Sequence, residues 1–351
     1  MPSPTYAAIS AIVPVHNGGE DFQTCLKNLT RADPAPHEII VVADGETDGC
    51  SNEAETLGAK VIRLPVAGGP ARARNVGARE ATGNVLLFID SDVAIYSDTI
   101  GKAAAIFEGD PGLAALLGSY DDEPGAANFL SQYKNLMHHY VHQTAREDAS
   151  TFWGACGAIR RETFLALGGF DESYRYPSIE DVELGYRLVQ AGHRIRLCKD
   201  LQVKHLKRWS ATSLLRSDFL HRALPWTELA IRHGRLLNDL NFRLSSRISA
   251  ILACGLALSL VAAWWKVGFL SLAAALGAML LVLNAPLYRF FYRKRGIRFA
   301  LQAIPWHWFY YLYSSIAFAL GTLRHMGAAL NPRASRKNKT SSPAGRRRPA
   351  R

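Results

Sequence analysis

The order of apolar and polar residues predicts an α/β protein: a mostly parallel sheet with helices on both faces, followed by C-terminal membrane helices. Three observations predict it. Short apolar runs alternate with helical stretches over the first hundred residues, acidic residues collect where those runs end, and the charge divides sharply near residue 240. The 351 residues suffice for one large domain and an appendage.

The first run, AISAIVPVHN (8–17), ends in turn residues and reads as a buried strand. EDFQTCLKNL (20–29) has helical spacing, and EIIVVADG (38–45) is again strand-like. SNEAETLG (51–58) reads as helix and KVIRLP (60–65) as strand. The Gly-rich AGGPARARNVG (67–77) leads into a helix, and VLLFIDSD (85–92) closes the series. Apolar strands separated by helices of this length imply parallel pairing, with ligands beyond the carboxyl ends of the strands. Residues 109–150 give a Pro- and Gly-bearing loop at 121–125 and a polar, helix-like stretch at 132–143. TFWGACGAIRRETFLALGGFDE (151–172) returns to turn, strand and helix signals, and SIEDVELGYRLVQAGHRIR (178–196) opens a helix with two acids.

The formal charge of +11 is −6 over residues 1–240 and +17 over 241–351, where Asp and Glu are absent. Long uncharged runs in the basic half argue against nucleic acid and for an anionic membrane surface as partner. Residues 248–265 and 267–288 are each about long enough to cross a ~30 Å hydrocarbon core and read as a helical hairpin. Residues 299–323 carry Gln302, Pro305 and an aromatic cluster, which suits a helix lying in the interface or a third span. Basic residues flanking the hairpin place both its ends, and the catalytic domain, on the cytoplasmic side of the inner membrane. The predicted domains are 1–240 (catalytic), 241–330 (membrane) and 331–351 (a disordered basic tail). The five scattered cysteines fit reduced thiols, and the first residues lack an export-signal pattern.

Asp90 and Asp92 stand one residue apart where an apolar strand ends, a spacing suited to Mn²⁺ or Mg²⁺ with a diphosphate completing the oxygen shell. Alone, such a pair is equally a solvated turn; its place after two similar strand ends favours the metal. Asp44 either caps the turn after its strand or accepts a hydrogen bond from a nucleobase. Arg72 and Arg74 open a helix, where they either face solvent or reach a donor's base or phosphates. Glu180 and Asp181 suit a helix N-terminus electrostatically, and Asp181 also suits a general base. His205 is either a core histidine or a third metal ligand.

Taken in order, AIVPVHN, VVADGETDG, GGPARARNVG, VLLFIDSDV, GACGAIRRETFLALGGFDE and IEDVELGYRL resemble family 2 glycosyltransferases of the GT-A fold, over roughly residues 8–225. The resemblance implies an inverting, metal-dependent transfer from a nucleotide sugar to a hydroxyl or phosphate on a lipid-linked or membrane-delivered acceptor. It implies Asp44, Arg72 and Arg74 at the donor, and Asp90 and Asp92 at diphosphate and metal. His205 completes the metal site, Asp181 with Glu180 supplies catalysis, and Gly154 and Ala155 line the sugar pocket. Two departures stand out. Ala43 replaces an acid often found beside Asp44, and the Gln-x-x-Arg-Trp pattern of processive synthases is missing, which favours single-sugar transfer. Two other readings are a nucleotidyltransferase, opposed by the lack of a basic loop after the first strand, and a non-catalytic membrane scaffold on the same fold.

Overall fold

The computed structural model describes residues 7–233 and 244–330; the predicted basic tail (331–351) and the boundary at 240 lie outside the described residues. The strands are β1 (Ile9–Val15), β2 (Glu38–Asp44), β3 (Lys60–Leu64), β4 (Val85–Ile89), β5 (Val93–Ile95), β6 (Leu113–Tyr120), β7 (Asp148–Ala149), β8 (Cys156–Arg160) and β9 (Arg194–His205). Among the described residues they form one sheet in the order β3-β2-β1-β4-β8-β6-β9-β5, with β7 paired to β9. The first four strands are all parallel, as their continuous apolar runs predict. Beyond β4 the sheet is mixed: β8 runs antiparallel to both β4 and β6, while β6 and β9 are parallel.

Both faces of the sheet are closed. Along β1 and β4, Val13, Val15, Leu87 and Ile89 enter one core while Ile12, Leu86 and Phe88 enter the other, the period of two that a strand imposes. The helix Gly19–Thr30 has Glu20 and Asp21 in its first turn and Lys27 in its last, matching its dipole. The helix Pro70–Glu80 starts with Pro at its first position, where the missing N–H costs nothing.

After the helix Leu224–His233 the composition changes. Leu244–Ala262 is a straight 19-residue helix, the one described helix that is long and apolar enough by itself to cross a membrane. The second apolar run is divided: a helix Phe269–Leu283 of 15 residues spans only about 22 Å. It meets the next helix, from Ala285, at a 64° bend. Asn284 sits at that bend, bonded through its side chain to Ser249 and Tyr311. The segment from Ala285 is itself broken at Gly296, whose φ of 79° is foreign to a helix. These helices are anchored to the sheet region through the helix Phe129–Thr144, by a cluster that includes Tyr133, Leu136, Leu287 and Phe291. Arg295 adds hydrogen bonds to Gln132 and to the Asp122 carbonyl.

Candidate active site

The predicted chemistry converges because of strand register. β8 pairs Cys156 with Ile89, which sets Ala155 beside Asp90; the Asp90 N–H donates to the Ala155 carbonyl at 3.4 Å. β5 pairs Val93 with His205, which sets that histidine beside Asp92. Arg74, Asp90, Asp92, Ala155, Glu180, Asp181 and His205 thus line one cleft.

Asp181 lies in the first turn of the helix Glu180–Gln190. Its carboxylate accepts the N–H of Val182 at 2.7 Å and that of Gly154 at 2.9 Å, which fixes its orientation. Burial, then the neighbouring charge of Glu180, raises its carboxyl to about 6, against the opposing pull of those N–H groups and Arg74. Gly154 is tightly placed: its N–H reaches Asp181, and a Cβ there would stand 3.0 Å from the Arg74 guanidinium, which would have to give way.

Arg74 is not a solvent-facing helix start. It is 4% exposed, and its guanidinium donates to Glu180 at 2.8 Å and to Asp90 at 2.5 Å. It ties the strand-end acids to the helix that carries Asp181. A buried bridge of this kind stabilises little relative to an apolar core, but removing one member costs about 3–5 kcal/mol through the charge left behind. Asn75, next along, exchanges two hydrogen bonds with the Phe170 backbone at 2.8 and 2.9 Å and so positions the turn before that same helix.

Asp92 faces Lys207 at 3.3 Å and His205 at 3.9 Å. Burial holds His205 down to about 4, so its imidazole is neutral at pH 7. Burial also pushes Asp92 up, but its cationic neighbours reverse this; with His205 neutral, Lys207 keeps the carboxylate charged. His205 stacks on Tyr120, with ring centroids 4.3 Å apart, and Trp153 meets Tyr120 edge-on. A carboxylate and a neutral imidazole at this spacing fit a divalent cation whose other positions are filled by oxygen. Asp90 is turned to Arg74, so the three predicted ligands are not a preformed triad. Among the described residues, the group of three with ligand atoms within 4.8 Å is Glu46, Asp48 and Cys50. There the Glu46 carboxylate accepts from the Ser51 N–H at 2.9 Å and caps the helix Cys50–Thr56.

Two predicted donor residues lie away from the cleft. Asp44 is 5% exposed and accepts the N–H groups of Gly68 and Gly69 at 2.7–3.0 Å, pinning the turn before Arg72. Arg72 folds back on the Val66 carbonyl at 3.3 Å. Conversely, Tyr120, Lys134, His138, Trp153 and Arg222 line the cleft without having been singled out in the sequence. Part of this set, Lys134 and His138, stands at i, i+4 spacing in FLSQYKNLMHHYVHQT (129–144), on one face of that helix.

With this geometry in view, comparison with known proteins is informative. Residues 10–168 match the family model Glycosyl transferase family 2. An uncharacterized glycosyltransferase of Haemophilus influenzae is 28% identical over 194 residues, 52% of this chain and 62% of the relative. A pre-mycofactocin glycosyltransferase of Mycobacterium tuberculosis is 28% identical over 247 residues, 66% of this chain and 49% of the relative. The chain therefore spans less than two thirds of the length of these relatives. In fold it is similar to the mannosyltransferase PcManGT of Pyrobaculum calidifontis, solved with GDP-Man and Mn²⁺, at a TM-score of 0.56 and 21% identity, covering 91% of this chain and 89% of that one. It is also similar to S. aureus TarS 1–349, solved with UDP-GlcNAc, at a TM-score of 0.50 and 21% identity, with 89% and 88% covered. The family match identifies residues 10–168 as a family 2 glycosyltransferase domain, and the sheet around it has the GT-A fold of the solved structures it resembles.

Proposed function

We propose that the protein transfers a single sugar from a nucleotide-diphosphate sugar to a hydroxyl on a lipid-linked acceptor, with inversion at the anomeric carbon. The observation that carries this reading is Asp181: a carboxylate raised to about 6, oriented by two backbone N–H groups and facing the cleft that holds Asp90, Asp92 and His205. A base of that strength is largely ionised at neutral pH and close to the strength that proton abstraction requires. The acceptor oxygen attacks the anomeric carbon, its proton passes to Asp181, and the bond to the diphosphate oxygen breaks with its electron pair. A single displacement inverts the centre.

Asp92 and His205 are the residues that would hold Mn²⁺ or Mg²⁺, with Asp90 close by at the donor diphosphate. The bound cation would offset charge on the departing diphosphate. The nucleotide sugars and Mn²⁺ in the structures of similar fold support a nucleotide-sugar donor and a divalent metal. Asp44 and Arg72 are assigned to the donor nucleotide through the turn that Asp44 pins, Gly154 and Ala155 to the sugar pocket, and Glu180 to positioning Asp181. We assign 1–240 to catalysis and 241–330 to the inner membrane, with the catalytic domain cytoplasmic. Ile251, Leu258, Val261, Trp264 and Trp265 are all more than half exposed, which suits lipid as their solvent. The purified protein should consume one nucleotide sugar in a screen with Mn²⁺ or Mg²⁺ and a membrane lipid extract. The product should carry one sugar of inverted configuration by NMR; retention, or a polymer ladder, would overturn the reading.

A further inference from the structure

Two cavities meet at the helix Phe129–Thr144. One is the catalytic cleft; the other lies between this helix and the C-terminal helices, and Lys134 and His138 line both. The second cavity has apolar walls in Met137, Leu283, Pro286 and Leu287 and polar ones in Ser245, Ser246 and Asn284. Charged side chains enter it only at the junction, through Lys134 and Asp218.

The junction is built by an unusual element. Ser217–Ala223 winds as a π-helix, a conformation that is rare and recurs at functional sites. It directs Asp218 to Lys134 at 2.7 Å and Arg222 to the His138 ring nitrogen at 3.4 Å. Tyr313 donates to the other Asp218 oxygen at 2.9 Å. Two cations therefore meet one buried carboxylate. His138 adds no compensating charge, since burial, Lys134 and Arg222 keep it neutral. Lys134 donates one bond to Asp218, and an ammonium has three N–H groups to give. Tyr133, 3% exposed, lines the second cavity with a hydroxyl that lacks a protein partner.

We propose that the paired cavities bind a lipid whose phosphate lies between its apolar chain and the hydroxyl to be glycosylated. The chain occupies the second cavity and the phosphate sits at the junction between Lys134 and Arg222. Beyond it, the hydroxyl reaches the cleft that holds Asp181. An ammonium and a guanidinium converging on one point favour phosphate, whose several oxygens can accept from both. Apolar walls at Met137, Leu283, Pro286 and Leu287, with charge only at the junction, favour an amphiphile whose chain lies against them. The hydroxyl end rests on the glycosyl-transfer reading above; the chain and phosphate ends rest on the cavities alone.

The test uses the full-length protein in detergent and calorimetric titration with farnesyl diphosphate, farnesol and inorganic pyrophosphate. Farnesyl diphosphate should bind at least about tenfold more tightly than either fragment. Arg222→Gln, which removes charge at the junction, and Met137→Trp, which fills the apolar cavity, should each weaken it about tenfold. Thermal unfolding of both variants shows that they are folded. Farnesol or pyrophosphate binding as tightly as the amphiphile would overturn the proposal, as would wild-type affinity in both variants. Mn²⁺-dependent binding of GDP and UDP to the wild-type protein is measured on the same sample. Its loss, with lipid binding intact, would strike the glycosyl-transfer reading and leave the lipid site standing.

Discussion

In the sheet region the apolar side chains of β1 and β4 fill two cores and the acids gather in a cleft; in the C-terminal helices many large apolar side chains are exposed and polar ones are buried. There Ile251, Trp264 and Val267 are 72%, 89% and 76% exposed, while Asn284 and His307 are 9% and 2% exposed. Both of these buried polar side chains are satisfied within the region: Asn284 by Ser249 and Tyr311, His307 by Tyr288. A helix in water buries its apolar stripe, whereas a helix in hydrocarbon must hide its hydrogen-bonding groups instead. The contrast is the one that the proposed membrane assignment of the second region requires. The helix Phe129–Thr144 is where the two regions meet.

The largest effect expected from breaking this comparison is in the catalytic half. Asp181→Asn keeps the volume and can still accept the Gly154 N–H, yet it cannot take a proton. Transfer should fall about 10²–10⁴-fold while donor binding stays within a few-fold of wild type. Product formation and donor titration measured side by side check this; wild-type turnover would remove Asp181 from the mechanism.

The next effect separates the solvents directly. Ile251 is 72% exposed near the middle of Leu244–Ala262. On a water-facing surface Ile251→Lys would change stability by no more than about 0.5 kcal/mol. Facing hydrocarbon, a lysine at the centre of a span costs about 2.5–3.5 kcal/mol. The expected outcome is a marked loss of membrane-fraction protein, read by fractionation and immunoblot. A variant that stays soluble and active in the cytosol would refute the membrane assignment.

The parallel half of the sheet was legible because strands buried on both faces read as unbroken apolar runs ending at acids. β5 was not: Val93–Ile95 is three residues long, and nothing local distinguishes it from the turn after Asp92. The convergence of Asp92 with His205 follows from that short strand's register, so local patterns gave the two residues and only the family resemblance brought them to one site. For Arg74 the sequence left two readings open for a similar reason. A basic helix start can face solvent or a ligand, and its buried partner Glu180 lies far along the chain. The division of the second apolar run at Asn284 escaped because one neutral amide barely alters hydropathy, whereas its bonds to Ser249 and Tyr311 hold the bend.

The smallest effect concerns pH and sharpens the contrast between the buried cleft and an ordinary surface carboxylate. An exposed aspartate stays ionised down to about pH 4. Asp181 is raised to about 6 because burial and Glu180 disfavour its charge more than Arg74 and the two N–H groups favour it. A general base works only when deprotonated, so the rate of transfer should be flat above pH 7 and bend near 6. Below that it should fall about tenfold per pH unit. Glu180→Gln removes the repulsive charge but also a partner of Arg74, freeing that guanidinium to favour ionised Asp181. Both changes act in one direction, so the bend should move to lower pH. Rate profiles of wild type and variant, recorded at saturating donor and metal, decide it: a shift upward, or none, would mean that the bend belongs to another group.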